Sequence, residues 1–480
     1  MKSSRTLRAA TYAAALTAIA LAPFTAQAQS AAPAAPAASS DDIAALREQI
    51  RLLDQKLRVL ERNQELKDEA AVAEAKKQPK LNFSDGRLEL SSADGANSIR
   101  LRGLVQADGR FYLDETNPAG TNDSFLLRRA RLIFEGKFAE RYSYVVQPEF
   151  GTGSSVQVLD ANIHTAIVPE FGVRIGKFKT PIGLEQLQSD PVAFFNERSV
   201  ATGLTPNRDV GVQAEGAFFK GGLSYQLGVF NGVPDGGNTT QATTDFDSDK
   251  SVAARLFATP WVNDKDSVLK GLGFGIAAGQ GNYDTASGRA GQYRTDGQQT
   301  FFTYETSVLA DGKGTTISPQ AYYYYGPFGV LAEYVSSTID VRRNATQRVH
   351  EIQNTGWNVS AGYVLTGEDA TYKGVTPKTV FNPSAGTWGA FEVVARVAQL
   401  DIDDEVFTGT AATRLANRDT SASGITTYGI GVNWYPAKAV RVGLNYFHNE
   451  FELDSGASPA SGAVVGGDEQ TIIGRVQLSF

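Results

Sequence analysis

Arginine recurs at alternate positions in several stretches of this 480-residue chain, and that spacing is the first pointer to chemistry. In 129–134, Arg129 and Arg131 share one parity, while Ala130, Leu132 and Phe134 share the other. Ile99, Leu101, Gly103 and Val105 alternate in the same way with Arg100 and Arg102, and the pattern continues to Gln106 and Arg110. Arg255, Arg396 and Arg441 each stand opposite apolar neighbours, and Arg475 lies in the last ten residues. A guanidinium presents planar, paired N–H donors that match phosphate oxygens. Rings of them around a narrow passage favour anions. The competing expectation is that they pair with carboxylates such as Glu135 and leave no preference. Arg128 has the wrong parity for this scheme and needs a rim position or a bulge.

Strands are the elements that would place such residues, because alternate side chains point to opposite faces. Residues 471–480 (TIIGRVQLSF) show it: Ile472, Gly474, Val476, Leu478 and Phe480 fall on one parity, Arg475 and Gln477 on the other. An open edge at the chain end would template aggregation, and a closed transmembrane barrel removes it by pairing the last strand with the first. An arginine on the lipid face would cost about 2–4 kcal/mol at mid-depth, so the arginines belong inside. The composition agrees: 48 Gly, 26 Phe and 18 Tyr, a mean hydropathy of −0.23, and no apolar run after residue 28 long enough for a spanning helix.

No cysteine is present, so neither disulfides nor thiolate metal sites are available. His164, His350 and His448 are scattered and fit no catalytic motif. The expectation is a protein without enzymatic activity, cofactor, metal or nucleic-acid partner. Residues 1–28 read as an export signal, with Lys2, Arg5 and Arg8 before an apolar stretch and Ala26-Gln27-Ala28 at its end. Its removal would take the formal charge from −7 to −10. Residues 29–40 are an Ala/Pro/Ser linker. In 41–77, Ile43, Leu46, Ile50, Leu53, Leu57 and Leu60 make a coiled-coil seam whose Ile/Leu order favours two strands. A helix folded on its own barrel is the alternative.

From residue 81 to 480 the pattern is strands. Seventeen begin near Ser98, Phe125, Tyr142, Val156, Phe171, Asp209, Leu223, Ser251, Gly271, Gln299, Thr315, Phe328, Thr355, Thr387, Gly424, Ala439 and Gln470. A barrel with both ends on one side needs an even number, so one strand is split or missed in that count. Tyr322 to Tyr325 and Trp434-Tyr435 suit interfacial girdles. Residues 179–207 form a long connection with apolar clusters that a solvated loop would not carry. It either folds inward, bringing Glu185, Asp190, Glu197 and Arg198 to a constriction, or covers the mouth or a subunit contact.

Several stretches resemble the phosphate-selective porin O and P family: LLRRARLIFEG (126–136), GKFKTPIGLE (176–185), NERS (196–199), DVGVQAEG (209–216), GYVLTGE (362–368), GVNWYP (431–436) and the terminal strand. The resemblance implies an all-β, 16-stranded antiparallel outer-membrane barrel, a homotrimer in lipid with loops folded inward and a short N-terminal coiled-coil helix in the periplasm. It implies passive diffusion of small anions such as phosphate along an arginine-lined path. The family's paired constriction arginines fall on Arg128 and Arg129, its inward acid on Asp160, and the arginine of its loop on Arg198. Where phosphate-specific members carry a lysine and paired serines, this chain has Gln186, then Ser189 and Asp190. Those departures argue for a general or differently selective porin as the alternative, with the coiled coil as an assembly or cell-wall tether.

Overall fold

The computed structural model describes residues 39–480 apart from 76, 85–86, 114–121, 152, 154, 233–247, 284–290, 345 and 461–462. The expected export signal and nearly all of the linker lie outside the described residues.

The first unit is helix α1 (Ser40–Ala75). Its N-terminus is closed by a reciprocal cap. The Asp42 backbone N–H donates to Ser39 Oγ at 3.2 Å, and the Ser39 N–H donates to Asp42 Oδ2 at 3.3 Å. The seam residues Ile43, Leu46, Ile50, Leu53, Leu57 and Leu60 are all exposed.

In the second unit, a hairpin of β1 (Lys80–Ser84) and β2 (Arg87–Ser91) leads to the barrel. Barrel strands follow as β3 (Ser98–Tyr112), β4 (Ser124–Phe138), β5 (Tyr142–Glu149), β6 (Gln157–Val168), β7 (Phe171–Lys179) and β8 (Arg208–Phe218). Next come β9 (Leu223–Phe230), β10 (Ser251–Ala258) and β11 (Leu272–Tyr283). A small separate sheet, β12 (Gln292–Arg294) and β13 (Thr300–Thr303), interrupts the series. The barrel resumes with β14 (Leu309–Tyr325), β15 (Phe328–Arg342), β16 (His350–Val364) and β17 (Ala390–Asp401). It ends with β18 (Gly424–Ala437), β19 (Val440–Glu452) and β20 (Glu469–Ser479).

Each barrel strand pairs antiparallel with the next, and β20 closes on β3 from Thr471↔Tyr112 to Ser479↔Leu104. Phe480 extends the seam by exchanging backbone hydrogen bonds with Gly103, at 2.8 and 3.1 Å. The result is a closed barrel of sixteen strands. The parity conflict in the sequence count thus has a definite source. Among the described residues no barrel strand is split or missed; the start near Gln299 belongs to β13, which has a strand's alternation but pairs locally with β12 in a loop.

None of the described helices is long and apolar enough to cross a membrane; the outward apolar face belongs to the strands. Ile276, Ile430, Leu444 and Val476 stand exposed on it. The tyrosine run divides between the faces. Tyr325 is exposed and stacks on Tyr323 outside, whereas Tyr324 is buried and packs with Tyr322 and Phe194 inside. Tyr435 is likewise buried, hydrogen-bonded to Glu392, while Trp434 keeps to the outer girdle against Phe391.

One rim has mostly short turns, at 139–141, 169–170, 326–327 and 438–439, and the other has the long loops. Residues 259–271 and 365–389 are the longer connections on the short rim, and 365–389 reaches the interior, as does the 180–207 loop from the opposite end.

Candidate functional site

The site begins with a register shift. In the β3–β4 pairing Gln106 faces Arg129 and Ala107 faces Leu127, so Arg128 has no opposite number. This extra residue is a bulge, which lets two consecutive side chains turn to one face. Phe125 and Leu127 remain exposed outside, while Arg128, Arg129 and Arg131 all reach groups in the lumen.

The 180–207 loop fills much of the space they face. Its short helix α2 (Leu184–Leu187) is received by Glu333, which accepts from the Leu184 and Glu185 N–H groups at 2.8 and 3.1 Å. Glu185 in turn pairs with Arg396 at 2.7 Å and accepts from Ser199 Oγ at 2.6 Å. Leu184, Phe194 and Phe195 pack among Phe257, Tyr324, Leu331, Val364 and Phe447. Arg441 donates to the Ala193 and Phe194 carbonyls at 2.6 and 3.2 Å.

Two loop carboxylates meet the opposite wall. Glu197 takes Arg128 in a two-point contact at 2.7 and 3.0 Å, Arg475 at 2.7 Å and Arg110 at 3.2 Å. Arg475 also holds Asp108 at 2.6 and 2.7 Å. Asp190 binds Arg198 at 2.6 Å, Arg129 at 3.5 Å, and Arg131. Burial alone would raise both carboxyls. Arg129, Arg198 and Arg131 outweigh it at Asp190, and Arg128 and Arg475 at Glu197, holding both well below the usual carboxylate range.

Two further segments narrow the passage. The turn between β12 and β13 places Asp296 against Arg396 at 2.9 Å and offers the Gly297 carbonyl to Arg110 and to Tyr112 Oη. Burial pushes the Asp296 carboxyl up to about 7 despite Arg396, and Glu185 and Glu469 add to the rise. From the short-turn rim, Tyr372 Oη donates to the Leu184 carbonyl at 2.7 Å, and Gln188 Nε2 donates to the Tyr372 carbonyl at 2.9 Å.

What stays open beside Asp190 is a cavity of about 190 Å³. Arg128, Arg129, Arg131, Arg198, Arg208 and Arg294 line it against Glu149, Asp190 and Glu197, a surplus of three positive charges. Gln186 also lines it. Asp160 reaches the site through Arg208, which donates to it at 3.1 and 3.0 Å. Other expected residues lie elsewhere. Ser189 is exposed and off the cavity. Glu185 is buried as a brace of the loop. Arg100 and Arg102 sit at the start of β3, paired with Glu89 and Glu135.

Arg208, Arg294, Glu149 and Asp108 complete the arrangement without having been singled out in the sequence. Asp108 and Glu149 were legible, since Asp108 shares the inward parity of Gln106 and Arg110, and Glu149 is the register partner of Arg131. Arg294 lies in a loop hairpin, where no barrel periodicity marks it. Among the described residues its guanidinium has no hydrogen-bond or ion-pair partner.

Residues 99–480 match the family described as Phosphate-selective porin O and P. Porin O of Pseudomonas aeruginosa is 26% identical over 394 residues, covering 75% of this chain and 85% of that protein. In its crystal structure the outer membrane channel DcaP of Acinetobacter baumannii shares the fold, with a TM-score of 0.50 at 11% identity, covering 80% of this chain and 98% of that one.

Proposed function

The chain belongs to the phosphate-selective porin O and P family and is an outer-membrane porin, and from that premise we propose that it passes small anions, phosphate among them, by diffusion through an arginine-lined lumen. The observation that carries this reading is the charge of the narrow cavity, six arginines against three carboxylates, with Arg294 unpartnered among the described residues. The net charge of −7 describes the whole chain; selectivity depends on the few groups at the narrowest point. Arg128, Arg129, Arg131, Arg198 and Arg208 make the path, and Glu185, Asp190 and Glu197 hold the loop against it.

A second reading, a general porin without strong anion preference, is favoured by one specific feature: Asp190 and Glu197 already occupy most of those guanidinium groups. The zero-current potential of the purified protein in a planar bilayer across a KCl gradient separates the two. A potential of the sign set by chloride supports the anion path. A value near zero or of potassium's sign supports the general porin.

The remaining assignments belong to the same proposal. Residues 1–28 direct export, 41–77 lie in the periplasm as an assembly or cell-wall tether, and the barrel acts in lipid as a homotrimer. The exposed seam on α1 supports association of that helix with further copies or another partner. Deleting 41–77 and comparing subunit assembly in detergent with conductance tests the tether apart from transport.

A further inference from the structure

Three arginines of the lumen converge on one carboxylate that belongs to the protein itself. Arg198 Nη1 lies 2.6 Å and Arg129 Nη2 3.5 Å from Asp190 Oδ1, and Arg131 Nη1 holds Oδ2. Guanidinium groups bind carboxylate and phosphate oxygens through the same fork of N–H donors. In chemical terms the Asp190 carboxylate therefore stands where a small oxyanion would be held.

The carboxylate is also firmly tethered. Pro191 follows it in a 3-10 turn, and the Pro191 carbonyl accepts from Gln477 Nε2 at 3.0 Å. Arg441 grips the Ala193 carbonyl two residues further on. On the other side Arg198 is fixed by the Glu185 and Gln188 carbonyls at 3.0 and 2.9 Å. The arginine set is not saturated. Arg129 is buried, its contact with Asp190 is the long one, and its Nε has no hydrogen-bond partner. All three arginines border the open cavity, so a passing anion can reach them.

We propose that Asp190 is a tethered counter-anion that fills a three-arginine oxyanion site, so that permeating anions pass this point weakly instead of being retained there. The idea rests on the anion-path reading and names the residue that sets its strength. Removing the carboxylate while keeping the side chain's shape should convert a place of passage into a saturable site for inorganic phosphate.

The experiment compares wild type, Asp190→Asn and Asp190→Ser in planar bilayers, reading the zero-current potential in a KCl gradient and the block of chloride current by inorganic phosphate. Asp404→Asn, which removes an exposed carboxylate from an outer loop, controls for charge alone. The expected result is a shift of the potential toward the chloride value in both Asp190 variants. Half-block by phosphate should fall by at least about tenfold, since like-charge juxtaposition costs several kcal/mol, and Asp404→Asn should change neither. Asp190 variants with unaltered potential and block overturn the proposal, whether or not the wild type prefers anions. Raised conductance with selectivity lost in both variants also overturns it, because Asp190 would then be only a clamp on the loop. A wild type without anion preference whose Asp190 variants acquire it would sustain the proposal while refuting the anion-path reading of the native channel.

Discussion

The inward loop meets two unlike walls. On the β14–β19 side apolar contacts predominate, beside the Glu185–Arg396 pair and the holds of Glu333 and Arg441: Leu184 and Phe194 sit among Tyr324, Leu331, Val364 and Val394, and Phe195 tilts against Phe447 with ring centroids 5.5 Å apart. On the β3, β4 and β20 side it is held by ions, through Glu197 with Arg128, Arg110 and Arg475 and Asp190 with Arg129 and Arg131. Replacing a buried ion pair by apolar groups is often neutral or stabilising, so charge is a poor way to fasten a loop. On the proposed anion path the arginine wall serves the cavity, and the cost of keeping those charges dry is met by giving nearly every one a carboxylate from the loop.

The largest effect should come from the ionic wall, because breaking a buried pair is worse than never having had one. Arg475→Gln would strand Asp108 and part of Glu197, both buried, and should destabilise the barrel by about 3–5 kcal/mol. Denaturant unfolding in detergent measures it. The apolar wall should answer comparably or somewhat less. Leu184 is fully buried, and Leu184→Ala should cost about 2–5 kcal/mol for lost burial and the cavity left behind. The two differ in what else they change. Leu184→Ala should leave the sign of the zero-current potential alone, and Arg475→Gln should shift it toward potassium. If both variants changed selectivity equally, the division of labour between the walls would be wrong.

Much of this division was visible in the residue order, though not all. The alternation around Arg129, Arg396, Arg441 and Arg475 reports on which face each strand turns inward, because burial on one face enforces a period of two. Arg128 could be recognised as an exception, and the bulge resolves it. Period-two reasoning then fails wherever the backbone leaves the barrel. It counted Thr300–Thr303 as a wall strand, and it could not find Arg294 three-dimensionally beside Arg128 and Arg208. Tyr322 and Tyr324 were read as girdle residues because a run of four tyrosines hides its own parity. Ser189 was placed at the site by resemblance alone, and here the neighbouring Asp190 takes the contacts instead.

A smaller and pH-dependent effect should separate the loop carboxylates from Asp296. Asp190 and Glu197 titrate below their ordinary range, so their contribution is present above the usual carboxylate pKa and is lost only as pH falls through their lowered values. Asp296 has the opposite sign. Its pKa is raised from 3.8 to about 7, so the native state resists an ionisation that the unfolded chain undergoes freely. That penalty is absent below about 4, grows toward 7 and is constant above. Asp296→Asn should therefore gain thermal stability relative to wild type at pH 8 and gain nothing at pH 4. A pH-independent difference between the two proteins would mean that the loss of the contact to Arg396 dominates.

The smallest effect belongs to Arg100, and it tests whether position or mere residue type decides function. Arg100 faces inward as the alternation requires, but it pairs with Glu89 at 2.9 Å and Glu135 at 3.3 Å, and its side chain is 39% exposed. Pairs so open to solvent are worth about 0–1 kcal/mol, and Arg102 still holds Glu135 at 3.0 Å when Arg100 is gone. Arg100→Gln should leave unfolding within that range and the zero-current potential unmoved, whereas Arg129→Gln, at the cavity, should move it toward potassium. Equal shifts from the two would show that the potential is set along the whole lumen. Selectivity would then follow the total of inward arginines, and the contrast between an anchoring wall and a conducting wall would explain the loop's attachment but not the channel's choice of ion.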